Sequence, residues 1–298
     1  MLNFKAFLFG CCQSEANRAD DKNIIITEPK KPSQDSSMLG ATTVTDRNVT
    51  KTPKRASEEV KKEPYLILKA IEGNVIPLDT EIKINPLGLA DGGRKKQDGI
   101  TYIGCQKYIL AGKNAEQQLY NDILLNDASV GDQHCMIKYD QTQKKYFLKD
   151  LGEGSGTFVK IDQEIPLKPG YIISFGDSHM VATVEAPSRV KQSSDIMLKF
   201  LDGPKSDEVY TFKTEDKVIK VGRMSDCEIK FDGNSLSRYQ LTIEYKEDKG
   251  WVVIDGYNGK QSTNGTWLYV EGLHEITNNM TVKIGQTLFK LTLAMEDG

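Results

Sequence analysis

The stretch VGRMSDCEIKFDGNSLSRYQLTIEYKEDKGWVVIDGYNGKQSTNGTW, residues 221–267, decides the fold. Short runs of β-branched and aromatic residues, such as Leu241–Tyr245 and Trp251–Asp255, alternate in it with Gly, Asn and Asp. The former favour strands, and the latter favour the turns between them. No sustained 3.6-residue apolar periodicity, the pattern of an amphipathic helix, runs through the stretch. It therefore predicts a series of short strands.

The same pattern begins at Tyr65, where the run Tyr65–Ile71 has the length and composition of a strand. From there, short β-rich pieces recur at roughly 8–12-residue spacing, which is typical of an all-β sandwich. Any helix is expected only in the loop at 110–120 or near the N-terminus.

The pattern then restarts after a polar gap. The segment 196–203 parallels 65–73, and 281–285 parallels 171–176. Two similar halves separated by a polar linker indicate an internal duplication. The sequence therefore predicts two tandem antiparallel β-sandwiches preceded by a disordered N-terminal tail, with four parts: a tail at 1–64, a sandwich at 65–186, a linker at 187–195 and a sandwich at 196–298.

The tail has two features of its own. Residues 13–63 are rich in Ser, Thr, Asp, Lys and Pro, so they bury too little apolar surface to offset their ordering entropy. Within them, Thr43 with Asp46 three residues on is a candidate phosphorylation site. Cys11 and Cys12 follow several aromatic residues, which fits S-acylation and a membrane tether. An unmodified, disordered terminus fits the same residues equally well.

Bulk composition excludes several classes. The formal net charge is −3, without the basic balance that a DNA-binding protein usually carries, so nucleic acid is not expected as a partner. The five cysteines form no metal-binding or disulfide pattern, which favours a reducing compartment. The known catalytic loops are absent, and we therefore expect no enzyme activity, no cofactor and no metal.

Three loops of the second half carry polar groups suited to an anion. Arg223 follows one strand, Ser237 precedes another, and Thr263 and Asn264 follow a third. Loops at one end of a sandwich come together in space. A guanidinium offers a planar fork that matches two phosphate oxygens, and a serine hydroxyl adds a neutral donor. These residues therefore predict a phosphate site.

The second half resembles the forkhead-associated (FHA) domain family. That family's signature is a Gly-Arg, a Ser-Arg-x-His and an Asn-Gly-Thr, and the resemblance covers about residues 196–296. The matching residues are Gly222-Arg223, Ser237-Arg238-Tyr239-Gln240 and Asn264-Gly265-Thr266. Gln240 replaces the usual His, so an amide must rebuild the brace between the loops.

The resemblance implies a phosphothreonine site and a role for each matched residue. Arg223 and Ser237 would hold the phosphate, with Arg238 flanking it. Thr263 would approach the phosphate, and Asn264 would hold the peptide backbone. The residues that would shape the loops are Gly222, Gly265 and Thr266.

The first half resembles the same family over about residues 65–186, but it lacks the binding chemistry. Gly104 matches the first Gly, while Cys105, Gly131 and Ser155 replace the Arg, the Ser and the Asn. Phosphate selectivity should therefore be lost in this copy. His134 keeps the family position and is expected to be a core brace.

The resemblance implies a non-catalytic adaptor whose second domain binds a phosphothreonine-containing protein. One alternative is a scaffold that binds proteins without phosphate. Another is autoregulation, in which a phosphorylated Thr of the tail, such as Thr43, occupies the protein's own site. The expected location is the cytoplasm, with membrane association through the N-terminus, or the nucleus; no oligomeric state is predicted.

Overall fold

In the residues that the structure describes, the regular secondary structure is almost entirely β-strand, as predicted. The computed structural model describes residues 63–94, 96–112, 115–184 and 194–295. These residues form 23 strands and a single 3₁₀ turn, Thr214–Asp216. Among them there is no helix with the length and hydropathy needed to cross a bilayer.

Several predictions fall on residues that the structure does not describe. They concern the tail up to residue 62, the candidate acylation sites Cys11 and Cys12, the candidate phosphorylation site Thr43, and most of the linker at 187–195. These predictions lie outside the described residues. The described residues fall within one compact unit.

The strands follow one another in the same order in both repeats. Those of the first repeat are β1 (Pro64–Glu72), β2 (Glu81–Asn85), β3 (Gly88–Leu89), β4 (Ile100–Gly104), β5 (Tyr108–Ala111), β6 (Glu116–Leu119), β7 (Ile123–Leu124), β8 (Cys135–Asp140), β9 (Lys145–Asp150), β10 (Thr157–Lys160), β11 (Ile165–Pro166), β12 (Ile172–Phe175) and β13 (Ser178–Val184). Those of the second are β14 (Ile196–Phe200), β15 (Val209–Phe212), β16 (Val218–Gly222), β17 (Ile229–Lys230), β18 (Leu241–Lys246), β19 (Gly250–Asp255), β20 (Trp267–Tyr269), β21 (His274–Glu275), β22 (Met280–Ile284) and β23 (Thr287–Met295).

One long sheet runs through both repeats, and two short sheets pack against its two halves. The long sheet has 11 strands in the order β15-β14-β13-β12-β20-β10-β22-β23-β1-β2-β3. The short sheets each have five strands, in the orders β21-β9-β8-β4-β7 and β11-β19-β18-β16-β17. Buried and exposed residues alternate along most strands, as a sheet with one face on a core requires.

The two repeats exchange their C-terminal strands. Strand β13 of the first repeat pairs with β14 of the second, with Ala182 opposite Leu198. Strand β23 of the second repeat pairs with β1 of the first, with Leu68 opposite Leu291. The short strands exchange as well, since β11 pairs with β19 and β21 with β9. We call β1–β10 with β21–β23 the first sandwich, and β11–β20 the second sandwich.

The two hydrophobic cores confirm this exchange. The core of the first sandwich contains Tyr146 from the first repeat and Phe289 from the second. The core of the second sandwich contains Trp251 from the second repeat and Phe175 from the first. The boundaries predicted at 65–186 and 196–298 therefore delimit the sequence repeats, and each sandwich is built from strands of both.

The crossing point explains why the exchange occurs. Strands β10 and β20 pair antiparallel, with Val159 opposite Leu268. Each of the two segments then continues past this pairing without turning back. Ile161 N–H donates to Thr266 O at 2.8 Å, and Val270 N–H donates to Thr157 O at 2.9 Å. Because the repeats are similar, each hairpin finds in the other copy the partners that it would have in its own.

The segment expected to hold any helix forms a hairpin instead. Strands β5 and β6 pair with each other outside the main sheets, between Tyr108 and Leu119. Gly112 has a φ of +79° and Ala115 a φ of +49°, conformations that belong to a tight turn and not to a right-handed helix. The β-prone side chains of β5 thus decide this segment.

An ion pair joins the segment between β10 and β11 to the second repeat. Glu164, just before β11, accepts hydrogen bonds from Lys246 and Lys249 at the β18–β19 turn. These bonds, chiefly the one from Lys246, lower the pKa of Glu164 from 4.5 to about 2. The folded pKa lies below the unfolded one, so the stabilisation is present above about pH 4.5 and is lost as the pH falls towards 2.

The Glu164→Gln variant is therefore expected to be less stable than the wild type at pH 7 and to approach it at pH 2. Because the three side chains are partly exposed, salt should also shrink the difference. Denaturant midpoints of both proteins at the two pH values, in low and high salt, check this. A difference that stays constant with pH would contradict the assigned role.

Candidate functional site

Three loops of the second sandwich meet at one cleft of about 630 Å³. They are the loop after β16, the loop before β18 and the loop between β19 and β20. Four of the five predicted binding residues line the cleft, and Asn264 follows the last of them in the chain. The lining residues are Arg223, Asn234, Leu236, Ser237, Arg238, Tyr239, Tyr257, Asn258, Lys260, Gln261 and Thr263.

Arg223 presents its guanidinium to this cleft. The side chain is exposed, and Nη1 donates to Asn234 Oδ1 at 3.3 Å. In the part of the chain that the structure describes, no carboxylate pairs with this guanidinium. Its remaining donors can therefore bind two oxygens of an anion such as a phosphate or carboxylate.

Gly222 lets the first two loops touch. Arg223 N–H donates to Arg238 O at 3.1 Å, and Met224 N–H donates to the same oxygen at 3.3 Å. A Cβ atom on Gly222 would lie 2.4 Å from Arg238 O. A side chain at this position would therefore force Arg223 and Ser237 apart, which gives the predicted loop role of Gly222 a steric reason.

Ser237 and Thr263 join the second loop to the third. Thr263 N–H donates to Ser237 Oγ at 2.9 Å, and the two hydroxyl oxygens are 3.3 Å apart. Both residues line the cleft together with Arg223. One cation and two hydroxyl groups therefore face the same space, a donor set that suits a tetrahedral anion.

The Asn264–Thr266 turn connects this loop to β20. The side chain of Asn264 is exposed, and Gly265 has a φ of +77°, which a glycine adopts without strain. Thr266 is buried, and its hydroxyl donates to Asp255 Oδ1 at 2.6 Å. Trp267 Nε1 donates to Asn264 O at 3.3 Å. Asn264 is thus held by its backbone while its side chain stays available to a ligand.

Comparison with known proteins relates the chain to a family of domains. The family model described as "FHA domain" matches residues 109–176 and 219–286. The chain carries two FHA domains. It also resembles the FHA domain of the CT664 protein from Chlamydia trachomatis, at 13% identity over 76% of this chain and 96% of that one, with a TM-score of 0.28.

The first FHA domain has no room for the same site. Its position equivalent to Ser237 is Gly131, where a Cβ would lie 2.3 Å from Glu153 Cβ. Glu153 Oε2 accepts a hydrogen bond from Gln133 N–H at 2.7 Å. Glu153 therefore occupies the space that a side chain at position 131 would need, and its carboxylate, held two residues further along at Gln133, would repel a phosphate.

Gln240 replaces the family histidine as the internal brace of the second FHA domain. It is buried, and its Oε1 accepts from Ser237 N–H at 3.2 Å, as His134 Nδ1 accepts from Gly131 N–H at 3.1 Å in the first domain. Its Nε2 also donates to Ser262 Oγ and to Gly265 O, both at 3.0 Å. The amide thus ties together the two loops that carry Ser237 and Thr263.

The Gln240→Ala variant is expected to destabilise the second sandwich by about 1–3 kcal/mol, because it leaves buried donors and acceptors without partners. Gln240→His, which copies the arrangement around His134, should recover part of this loss. Chemical denaturation of the three proteins measures the effect. Equal stability of Gln240→Ala and the wild type would show that the brace contributes nothing.

Sequence reasoning missed several residues of the cleft. The β19–β20 loop has ten residues between Asp255 and Thr266, whereas its counterpart has six between Asp150 and Thr157. The longer loop adds four lining residues: Tyr257, Asn258, Lys260 and Gln261. The Asn258-Gly259 pair is a recognised turn signal and marks this loop in the sequence. No comparable signal predicted that Glu153 fills the other site.

Tyr239 forms one wall of the cleft and is fixed from outside. Its hydroxyl donates to the Asp226 carboxylate at 3.0 and 3.1 Å, and Lys220 Nζ lies 2.8 Å from the same group. The hydrogen bond from Lys220 is the main cause that lowers the pKa of Asp226, and the bond to Asp226 raises the pKa of Tyr239. The negative charge of Asp226 is therefore balanced by Lys220, and Tyr239 stays protonated.

Proposed function

We propose that the protein is a non-catalytic adaptor that binds phosphothreonine peptides through its second FHA domain. FHA domains are phosphopeptide-binding interaction modules. The observation that carries the proposal is the convergence of Arg223, Ser237 and Thr263 on one cleft. Recognition of a phosphorylated motif by an arginine-centred site is a recurring mode of peptide binding.

The charges and donors of the cleft support phosphate over an uncharged ligand. Arg223 supplies a charge-assisted fork, while Ser237 and Thr263 supply neutral donors. A phosphate carries a charge of about −1.5 to −2 at neutral pH and three acceptor oxygens, which matches this set. The side chain of Asn264, the next residue after Thr263, is exposed, which supports a role in holding the peptide backbone.

For the first FHA domain we propose a structural role without phosphate binding. Gly131 supplies no hydroxyl, and Glu153 fills the space that a side chain at position 131 would need. The same repeat supplies β11, β12 and β13 to the second sandwich. The first domain therefore serves the second one through the strands that it donates.

A binding assay with the full chain tests the phosphothreonine proposal. The probes are an oriented library of phosphothreonine peptides and the same library after phosphatase treatment. The phosphorylated library is expected to bind and the treated one to lose binding. Equal binding of both libraries would overturn the proposal and favour the phosphate-independent scaffold.

The autoregulated alternative makes a different prediction in the same assay. If phosphorylated Thr43 occupied the cleft of its own chain, added peptide would have to compete with it. Both the wild type and the Thr43→Ala variant would be treated with a kinase that phosphorylates Thr43. The variant would then bind the added peptide more tightly than the phosphorylated wild type. Equal affinity of the two proteins would favour binding to a partner.

A further inference from the structure

The cleft of the second FHA domain extends beyond the residues that would hold the phosphate. Its far side consists of Tyr257, Asn258, Lys260 and Gln261, all from the lengthened β19–β20 loop. A volume of about 630 Å³ falls in the range of about 300–1,000 Å³ that ligand pockets usually have. The space therefore suits more of a peptide than one phosphorylated side chain.

The lengthened loop is preorganised. Tyr257 N–H donates to Lys260 O at 3.1 Å and Lys260 N–H donates back to Tyr257 O at 3.0 Å, which closes a two-residue turn. Asn258 and Gly259, the central residues, have φ values of +49° and +73°, as a type I′ turn requires. This turn fixes the backbone of Lys260 beside the cleft, so that little ordering entropy is lost when a ligand binds.

The start of the loop is equally fixed. Gly256 N–H donates to Gln240 O at 2.9 Å, and Gly256 O accepts from the Thr242 hydroxyl at 2.6 Å. A Cβ on Gly256 would lie 1.9 Å from Lys260 O, so the turn folds directly onto this glycine. The brace Gln240 therefore supports both the Ser237 loop and the Lys260 turn.

The cleft carries more positive charge than a single phosphate needs. Arg223, Arg238 and Lys260 line it, and none of its lining residues is an Asp or Glu. Asp226, the carboxylate nearby, is already paired with Lys220. Within the described ranges, Arg238 and Lys260 have no ion-pair partner. Three cations face a phosphate of at most about −2, which leaves one positive charge unmatched.

We propose that Lys260 binds a second anionic side chain of the peptide, close in sequence to the phosphothreonine. This inference rests on the proposed function of the cleft and adds a specificity-determining residue to it. The shared chemistry is a negatively charged group, supplied either by an Asp or Glu or by a second phosphorylated residue. The first FHA domain, with its shorter loop, has no equivalent of Lys260.

A peptide scan with full-length protein tests this proposal. A phosphothreonine peptide of otherwise neutral sequence receives Glu, Gln or phosphoserine at each flanking position in turn. At one position, Glu is expected to bind the wild type about 2–5-fold more tightly than Gln, the range of an exposed ion pair, and phosphoserine more tightly still. The Lys260→Gln variant should lose the preference for the anion, so that the Glu and Gln peptides bind it with equal affinity.

Matched controls separate the possible outcomes. Lys199→Gln changes an exposed lysine on β14, outside the cleft, and should keep the preference. Persistence of the preference in Lys260→Gln, or phosphothreonine binding with no preference at any position, would overturn the role of Lys260 alone. A wild-type protein that binds none of the phosphothreonine peptides would overturn the proposed function as well.

Discussion

The Arg223→Ala variant is expected to bind phosphothreonine peptides about 10- to 150-fold more weakly than the wild type. A hydrogen bond to a charged group contributes about 1.5–3 kcal/mol, and alanine removes a guanidinium that lines the cleft together with Ser237 and Thr263. The fold should be unaffected to within about 0.5 kcal/mol, because the side chain is exposed. Fluorescence anisotropy with a phosphothreonine peptide measures the loss.

Two further variants sharpen this prediction. Arg223→Lys keeps the charge without the planar fork, so its affinity should lie between those of the wild type and Arg223→Ala. Cys105→Ala changes the equivalent position of the first FHA domain and should leave phosphopeptide binding unchanged. If Arg223→Ala bound the peptide as tightly as the wild type, the phosphate would not be held in this cleft.

The Phe175→Ala variant is expected to destabilise the second sandwich by about 3–5 kcal/mol, although Phe175 belongs to the first repeat. The ring is fully buried, and its centroid lies 6.3 Å from that of Phe200 and 5.8 Å from that of Phe231. Phe231 N–H in turn donates to Gly222 O at 2.8 Å, next to Arg223. A cavity at Phe175 therefore weakens the core under the cleft that Arg223 lines.

Native-state amide hydrogen exchange locates the effect of this variant. Faster exchange is expected in β16, β18 and β19, with little change in β4, β8 and β9. Phe289→Ala, a matched substitution in the core of the first sandwich, should give the reverse pattern. If each variant instead speeded hydrogen exchange in the strands of its own repeat, this would contradict the swapping of the C-terminal hairpins between the repeats.

Local sequence predicted the strands well, because strand propensity depends on nearby chemistry, whereas the loop roles were implied by the resemblance to FHA domains. Gly222 was predicted to shape a loop, and the 2.4 Å separation between its Cβ position and Arg238 O shows why only glycine fits. The brace was expected to be rebuilt at Gln240, and its hydrogen bonds do this. The hairpin at 108–119 was not predicted, because a short segment on the surface has no periodicity to read.

Residue types and their spacing were thus enough to predict the all-β class, the duplication and the likeness to FHA domains. Strand propensity, turn chemistry and loop motifs each depend on residues close together in sequence. Which hairpin closes which sandwich depends on tertiary structure, because the two repeats offer similar partners. Leu68 pairs with Leu291, and Leu198 with Ala182, only because the segments that follow β10 and β20 continue into the opposite sandwich. The positions of Glu153 beside Gly131 and of Lys260 at the cleft likewise depend on how the loops fold. The lengths of these loops alone do not determine where a side chain lies.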